Sequence, residues 1–310
     1  MSMRISTNHA FDVSLSSLQR RQAQLSDTQE RLTSGKRVQK ASDDPANAAR
    51  AERARGMQSA AEAQLRALDT SRNAMTLSEG ALGNSVEILQ QARELVINAG
   101  DGSFGDQDRL ALAEQLRSLR NDLMGVANRN DGSGRYLFGG QGSGGPPMRD
   151  TPAGVVYDGT PGQLNAAAGT TTPLALDGQA AFLRAPDPAN PGGTLSTFDV
   201  LDRAITELST PGRSSAQIAQ TVTDSLGQID VVSENVSSWR ARAGEALNRI
   251  DAIEGRLSQS KLDAQSERSD AEDLDMVSAI SEFQSRQTGY DAALKTYSMV
   301  QRMTLFDYLK

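Results

Sequence analysis

Residues 61–96 read AEAQLRALDTSRNAMTLSEGALGNSVEILQQARELV. Steps of four and three from Ala61 land on Leu65, Leu68, Arg72, Met75, Glu79, Leu82, Val86, Leu89, Arg93 and Val96. That spacing is the a/d stripe of a helix packed along a narrow seam. Arg72, Glu79 and Arg93 dilute the stripe, but their long stems can lie along a seam while the charges reach water. Upstream, Ser42-Asp43-Asp44-Pro45 offers carboxylates for free helix N–H groups and a proline suited to the first turn. Downstream, Gly100-Asp101-Gly102-Ser103 is a stop. The pattern therefore predicts one helix over about residues 46–98, roughly 80 Å at 1.5 Å per residue. Such a rod belongs to a helical bundle or coiled coil rather than to a compact domain.

The flanking sequence repeats the pattern. Phe11, Leu15, Leu18, Gln22, Leu25, Gln29 and Leu32 keep the same spacing, with Asn8 as a candidate cap and Ser34-Gly35 as a stop. Leu112, Leu116, Leu119, Leu123 and Val126 predict a third helix folding back antiparallel on the second. Composition then shifts: eight of the ten prolines lie between Pro146 and Pro191, which rules out long helices there. Val155-Val156-Tyr157-Asp158-Gly159 reads as a strand entering a tight turn, and Ala181-Phe182-Leu183 as a second short strand. Helical spacing resumes at Phe198, Leu201, Ile205 and Leu208, and Pro211-Gly212 interrupts it. A long helix follows through Val222, Ile229, Val232, Val236, Trp239, Ala243, Ile250, Ile253 and Leu257, and could run on to the end of the chain. Its last part carries Met276, Ile280, Phe283, Gln287, Tyr290, Leu294, Tyr297 and Gln301.

The fold class is thus mainly α, a long antiparallel helical bundle made by the N- and C-terminal segments with a small β-rich insertion between them. The expected division is nested. Segments 1–40 and 275–310 form a terminal coiled coil, 41–140 and 197–274 a core bundle, and 141–196 the insertion. The terminal seams are thin. Burying a leucine contributes roughly 2 kcal/mol, whereas ordering costs roughly 1–2 kcal/mol per residue. Helices of this kind are marginal in a single chain and gain stability when neighbouring copies add more wall.

Composition narrows function. Aromatic residues are 4% of the 310, too few for a large globular core. Thirty-two basic against 39 acidic residues give a net charge of −7, which argues against a nucleic-acid surface. The absence of cysteine excludes disulfides, thiolate metal sites and cysteine nucleophiles. The N-terminus carries no apolar signal-peptide core, and no stretch reaches the roughly 20 apolar residues of a membrane span, so no membrane insertion is expected.

Catalytic constellations are missing. His9 is the single histidine and has no nucleophile near it in sequence. Gly35-Lys36 lacks the upstream glycine of a P-loop. Asp101 to Leu112 has the rhythm of a calcium loop but places Asp106 and Leu112 where Gly and Glu are needed. The acidic run Asp270, Glu272, Asp273, Asp275 reads as solvated helix surface. No enzyme activity, cofactor or metal is expected.

Two segments carry a family resemblance. LSDTQERLTSGKRVQKASDDPAN (25–47) resembles the N-terminal signature of the flagellin superfamily. Arg135-Tyr136-Leu137-Phe138-Gly139-Gly140 and FQSRQTGYDAALKTYSMVQRMTLFDYL (283–309) are similar to its hook–filament junction branch. The resemblance implies a structural subunit of the bacterial flagellum that connects hook to filament. It also implies an extracellular place in the flagellum and export without a cleavable signal peptide. The partners it implies are hook-associated protein 1, flagellin, further copies in a ring, and a cytoplasmic export chaperone gripping the C-terminal helix. By the same analogy Phe11, Leu15, Leu18, Leu25 and Leu32 would meet Ile280, Phe283, Tyr290, Leu294, Tyr297 and Leu305 in an inner tube. The alternatives left open are a flagellin-type filament subunit, an intracellular coiled-coil adaptor or secretion chaperone, ligand binding by the insertion and, most remotely, an enzyme within it.

Overall fold

A computed structural model describes the backbone of residues 2–166 and 172–308, and side chains for 12–166 and 172–299. Among the described residues there are six α-helices: α1 (Ser2–Ser34), α2 (Pro45–Ala99), α3 (Asp106–Ala127), α4 (Thr197–Ser209), α5 (Ser215–Glu272) and α6 (Met276–Tyr308). Between α3 and α4 lie three two-stranded antiparallel sheets: β1 (Met148–Thr151) with β2 (Gly154–Tyr157), β3 (Leu164–Asn165) with β4 (Pro173–Ala175), and β5 (Ala185–Pro186) with β6 (Thr194–Leu195). α1 extends upstream of Asn8, so that residue does not cap it. The Ala181-Phe182-Leu183 segment is not a strand; it lies in a single π-turn, Gln179–Leu183. The fifth helix stops at Glu272 and α6 starts afresh at Met276, where Asp275 accepts from the Val277 and Ser278 amides.

The chain divides into two compact units, residues 1–61 with 259–310 and residues 62–258. The larger unit has one apolar cluster. It joins Leu68, Met75, Leu82, Leu89 and Val96 of α2 to Leu116 and Leu123 of α3, Phe198 and Leu201 of α4, and Ile229, Val232, Val236 and Trp239 of α5. α2 and α5 run antiparallel, because rising α2 numbers meet falling α5 numbers. Arg72 bonds Asp251 at 2.6 Å and also Glu254, Glu79 accepts from Arg240 at 2.6 Å, and Arg93 bonds Asp230 at 2.8 Å.

These ion pairs correct the expected seam. One stripe, Leu68 to Val96 at seven-residue steps, is buried as read. The second buried stripe is not Arg72, Glu79, Val86 and Arg93 but the residues one place earlier: Ser71, Ser78, Ser85 and Ala92, continuing to Ala99. The charged side chains flank the seam, where their pairs stay half-solvated. Ser78 and Ser85 satisfy their hydroxyls on their own helix, donating to the Ala74 and Ala81 carbonyls at 2.8 and 2.9 Å. Ser71 donates instead to the Pro173 carbonyl of β4 at 2.5 Å, tying the middle segment to the rod.

The middle segment shares the core of the larger unit. Phe138 and Phe182 meet edge-to-face at 5.1 Å, and Phe182 lies 6.4 Å from Phe198. Arg120 of α3 is buried, stacks 5.4 Å from the Phe198 ring, and donates to Asp150 of β1 at 2.7 Å and Asp202 of α4 at 3.1 Å. The Asp150 hydrogen bond, against the opposing cost of burial, holds the Arg120 pKa above its ordinary value and that of Asp150 below. Tyr157 donates to the Phe138 carbonyl at 3.0 Å, and burial pushes its pKa up to about 12.

Gly140 closes this knot. Its φ is 63°, its amide donates to the Leu176 carbonyl at 3.0 Å, and a Cβ there would fall 2.0 Å from the Thr160 carbonyl oxygen. Backbone cannot yield as a flexible side chain does. Gly140→Ala is expected to destabilise the larger unit by about 2–4 kcal/mol, combining left-handed strain with the clash. Urea unfolding would check it; a midpoint unchanged from the parent protein would mean the turn opens freely.

Candidate assembly interface

The smaller unit inverts the usual distribution of apolar side chains. Among the described residues, it buries one large aliphatic, Val38, and otherwise alanines: Ala51, Ala54, Ala61, Ala264, Ala271 and Ala279. Several of its large apolar side chains face out. Leu15 is 38% exposed, Ile280 46%, Leu294 40% and Val277 81%, and Val13, Met57, Leu262, Met276 and Met299 are exposed as well. Exposed apolar side chains gathered in one unit make it the candidate interaction surface.

The geometry of the α1–α6 pair explains which residues turn outward. The pair is antiparallel: Arg286 donates to the Gln24 carbonyl at 3.0 Å, and a Cβ on Gly289 would sit 3.1 Å from the Arg21 guanidinium. Thr28 and Ala279 are its buried contacts. Small residues set a close approach, since interaxial distance follows the side chains at the crossing. The Thr28 hydroxyl bonds back to the Gln24 carbonyl at 2.9 Å, so its burial leaves no donor unmet.

Of the sequence-expected contact residues, Leu18, Leu25, Leu32, Phe283, Tyr290 and Tyr297 are half-buried on the facing sides of the pair. Leu15, Ile280 and Leu294 point away from it. The α6 seam runs through Ala279, Phe283, Arg286, Tyr290, Ala293 and Tyr297, so Ile280 and Leu294 sit one residue off it. The side chains of Phe11 and Leu305 lie outside the described residues. Sequence reasoning missed Met57, Leu262 and Val277 as exposed apolar residues; a stripe search discards them because they sit off the a/d spacing.

The signature turn after α1 is folded onto the end of α5. Gly35 takes a left-handed φ of 68°, and its carbonyl accepts the Leu274 amide at 3.0 Å. Arg37 and Val38 donate their amides to the Glu272 carbonyl at 2.8 and 3.3 Å. Asp43 accepts the Lys40 and Gln39 amides at 2.9 and 3.2 Å, and Asp44 accepts the Asn47 amide at 3.1 Å as the cap of α2. Those backbone hydrogen bonds hold both carboxyls below their usual range. A depressed pKa in the folded chain means that this stabilisation is present above the ordinary carboxylate pKa and is lost as pH falls through the folded value.

Residues 5–143 match the bacterial flagellin N-terminal helical region and residues 226–309 the bacterial flagellin C-terminal helical region, together over two thirds of the chain. The chain belongs to the flagellin superfamily. Within that superfamily it is 28% identical to flagellar hook-associated protein 3 of Salmonella typhimurium, across 98% of this chain and 99% of that one. It is 26% identical to the flagellin of Bacillus subtilis, across 91% and 90% of the two chains. Its fold matches the flagellar junction protein FlgL of Legionella pneumophila with a TM-score of 0.60 at 20% identity, covering 72% of this chain and all of that one. Among the described residues no helix is long and apolar enough to cross a membrane, and no cluster of acidic or histidine side chains is placed to hold a metal.

Proposed function

We propose that this flagellin-superfamily chain is a structural subunit at the hook–filament junction of the bacterial flagellum, acting by assembly and without catalysis. The observation that carries the reading is the smaller unit, whose fully buried seam positions are mostly alanine and threonine while Leu15, Ile280, Leu294, Val277 and several methionines face out. A helical pair with that distribution gains its burial from neighbouring copies. The similarity to hook-associated protein 3 across nearly the whole of both chains supports this place in the structure. On this reading the terminal helices form an inner tube, the core helices the surrounding shell, and the middle segment the outer face of a ring. The ring contacts hook-associated protein 1 on one side and flagellin on the other. Before assembly the exposed α6 face is available to an export chaperone.

A second reading, a filament subunit, is favoured by the near full-length likeness to a flagellin. Deletion of the gene in its own motile host separates the two. The junction reading expects hooks without filaments and flagellin monomers shed to the medium. Hooks with both junction proteins in place and no flagellin anywhere would make the chain the filament subunit.

A further inference from the structure

Glu272, the last residue of α5, is buried to 5% exposure, and side chains from three elements converge on its carboxylate. Arg55 of α2 donates to it, Lys36 of the turn after α1 lies at 3.4 Å, and Arg268 of α5 lies at 3.5 Å. Arg37 adds a guanidinium bond to the neighbouring Ala271 carbonyl at 2.8 Å. The exits of α1 and α5, more than 200 residues apart in sequence, are therefore stitched together at the point from which α6 departs.

Little apolar burial reinforces this joint. Its wall beside Glu272 is an open cavity of about 400 Å³ lined by Val38, Ala41, Pro45, Ala48 and Ala51. Val38 is the one large aliphatic buried there. Within the α1–α6 pair, by contrast, contacts such as Arg286 to Gln24 do not involve Glu272. A buried carboxylate surrounded by cations is costly to unbalance: its loss leaves three like charges facing one another. The links around Glu272 are thus the ionic part of the joint, and the links inside the helical pair are separate from it.

We infer that Glu272 is the latch of an ion-locked joint, which sets the orientation of the α1–α6 pair against the α2 and α5 ends and releases that pair as a body when the latch is broken. The joint itself rests on no assumption about function. Its consequence for assembly rests on the junction reading.

The test uses the full chain with Glu272→Gln and the shorter-reaching Glu272→Asp. Hydrogen exchange at the Arg37, Val38 and Leu274 amides should quicken roughly 10- to 100-fold in Glu272→Gln and less in Glu272→Asp, while residues 80–96 keep their protection. Because the chain has no cysteine, spin labels can be placed cleanly. A Gln265→Cys/Gln284→Cys pair spans the joint and should show a broadened distance distribution. A Gln22→Cys/Gln287→Cys pair lies within the helical pair and should stay narrow. Unchanged exchange, or broadening of both label pairs together, would overturn the latch. A loosened joint in a strain that still builds normal filaments would uphold the latch and count against the assembly reading instead.

Discussion

Phe182→Ala should lower the melting temperature of the larger unit by roughly 6–20 °C. The ring is fully buried, meets Phe138 edge-to-face at 5.1 Å, and lies 6.4 Å from Phe198 on α4. Truncating a buried phenylalanine costs about 3–5 kcal/mol through lost transfer and the cavity left behind. The cavity here cannot collapse easily. Asn235 of α5 donates to the Ala180 and Ala181 carbonyls at 3.0 and 2.8 Å and pins the turn that carries the ring. The single tryptophan, Trp239, belongs to the same apolar cluster, so its fluorescence reports on the core directly. Thermal unfolding followed by that fluorescence and by helical circular dichroism should shift together. A melt lowered by less than about 2 °C would mean that the middle segment packs independently of the helices.

That coupling was only partly legible in the sequence. Period and stop signals disclosed the helices because a helix needs its apolar side chains every three or four residues and ends where glycine or a broken spacing intervenes. Ser34-Gly35 and Pro45 mark the observed α1 stop and α2 start. The packing role of the Pro-rich segment was hidden, because residues such as Phe138, Met148 and Phe182 are too scattered to form a pattern. Their partners are set by turns that only three dimensions bring together.

The seam shows a more specific limit. In α2 and in α6 one seven-residue stripe is where hydrophobicity puts it, through Leu68 to Val96 and through Phe283, Tyr290 and Tyr297. The companion stripe is displaced by one residue: to Ser71, Ser78 and Ser85 in α2, and to Ala279 and Ala293, with Arg286 between them, in α6. Ranking residues by apolar size favours leucine over alanine at adjacent positions, yet a close helix crossing accepts alanine and excludes leucine. The same rule has opposite consequences in the two units. In α2 the displaced residues are Arg72, Glu79 and Arg93, which find partners on α5. In α6 they are Ile280 and Leu294, which remain exposed in the single chain.

Leu294→Asp is accordingly expected to abolish filament attachment while leaving the isolated chain as stable as its parent. Leu294 lies one residue off the α6 seam beside Ala293, and in the single chain it is 40% exposed. Substitutions at such surface positions usually change stability within about 0.5 kcal/mol. In an assembled seam the same aspartate would be moved from water into apolar surroundings without a partner, at a cost of several kcal/mol per copy. On the ring reading proposed above, every copy would bear that cost, so the assembly would be penalised many times over while each monomer is not. Val156→Asp is the matched control, an exposed apolar residue at 41% that belongs to the larger unit and not to the inverted helices. Both variants should melt with the parent chain, and only Leu294→Asp should fail to restore filaments in a deletion strain. Full-length filaments from the Leu294 variant would place the outward leucines in contact with solvent after assembly as before. The inverted apolar distribution would then need a partner other than a second copy of this chain.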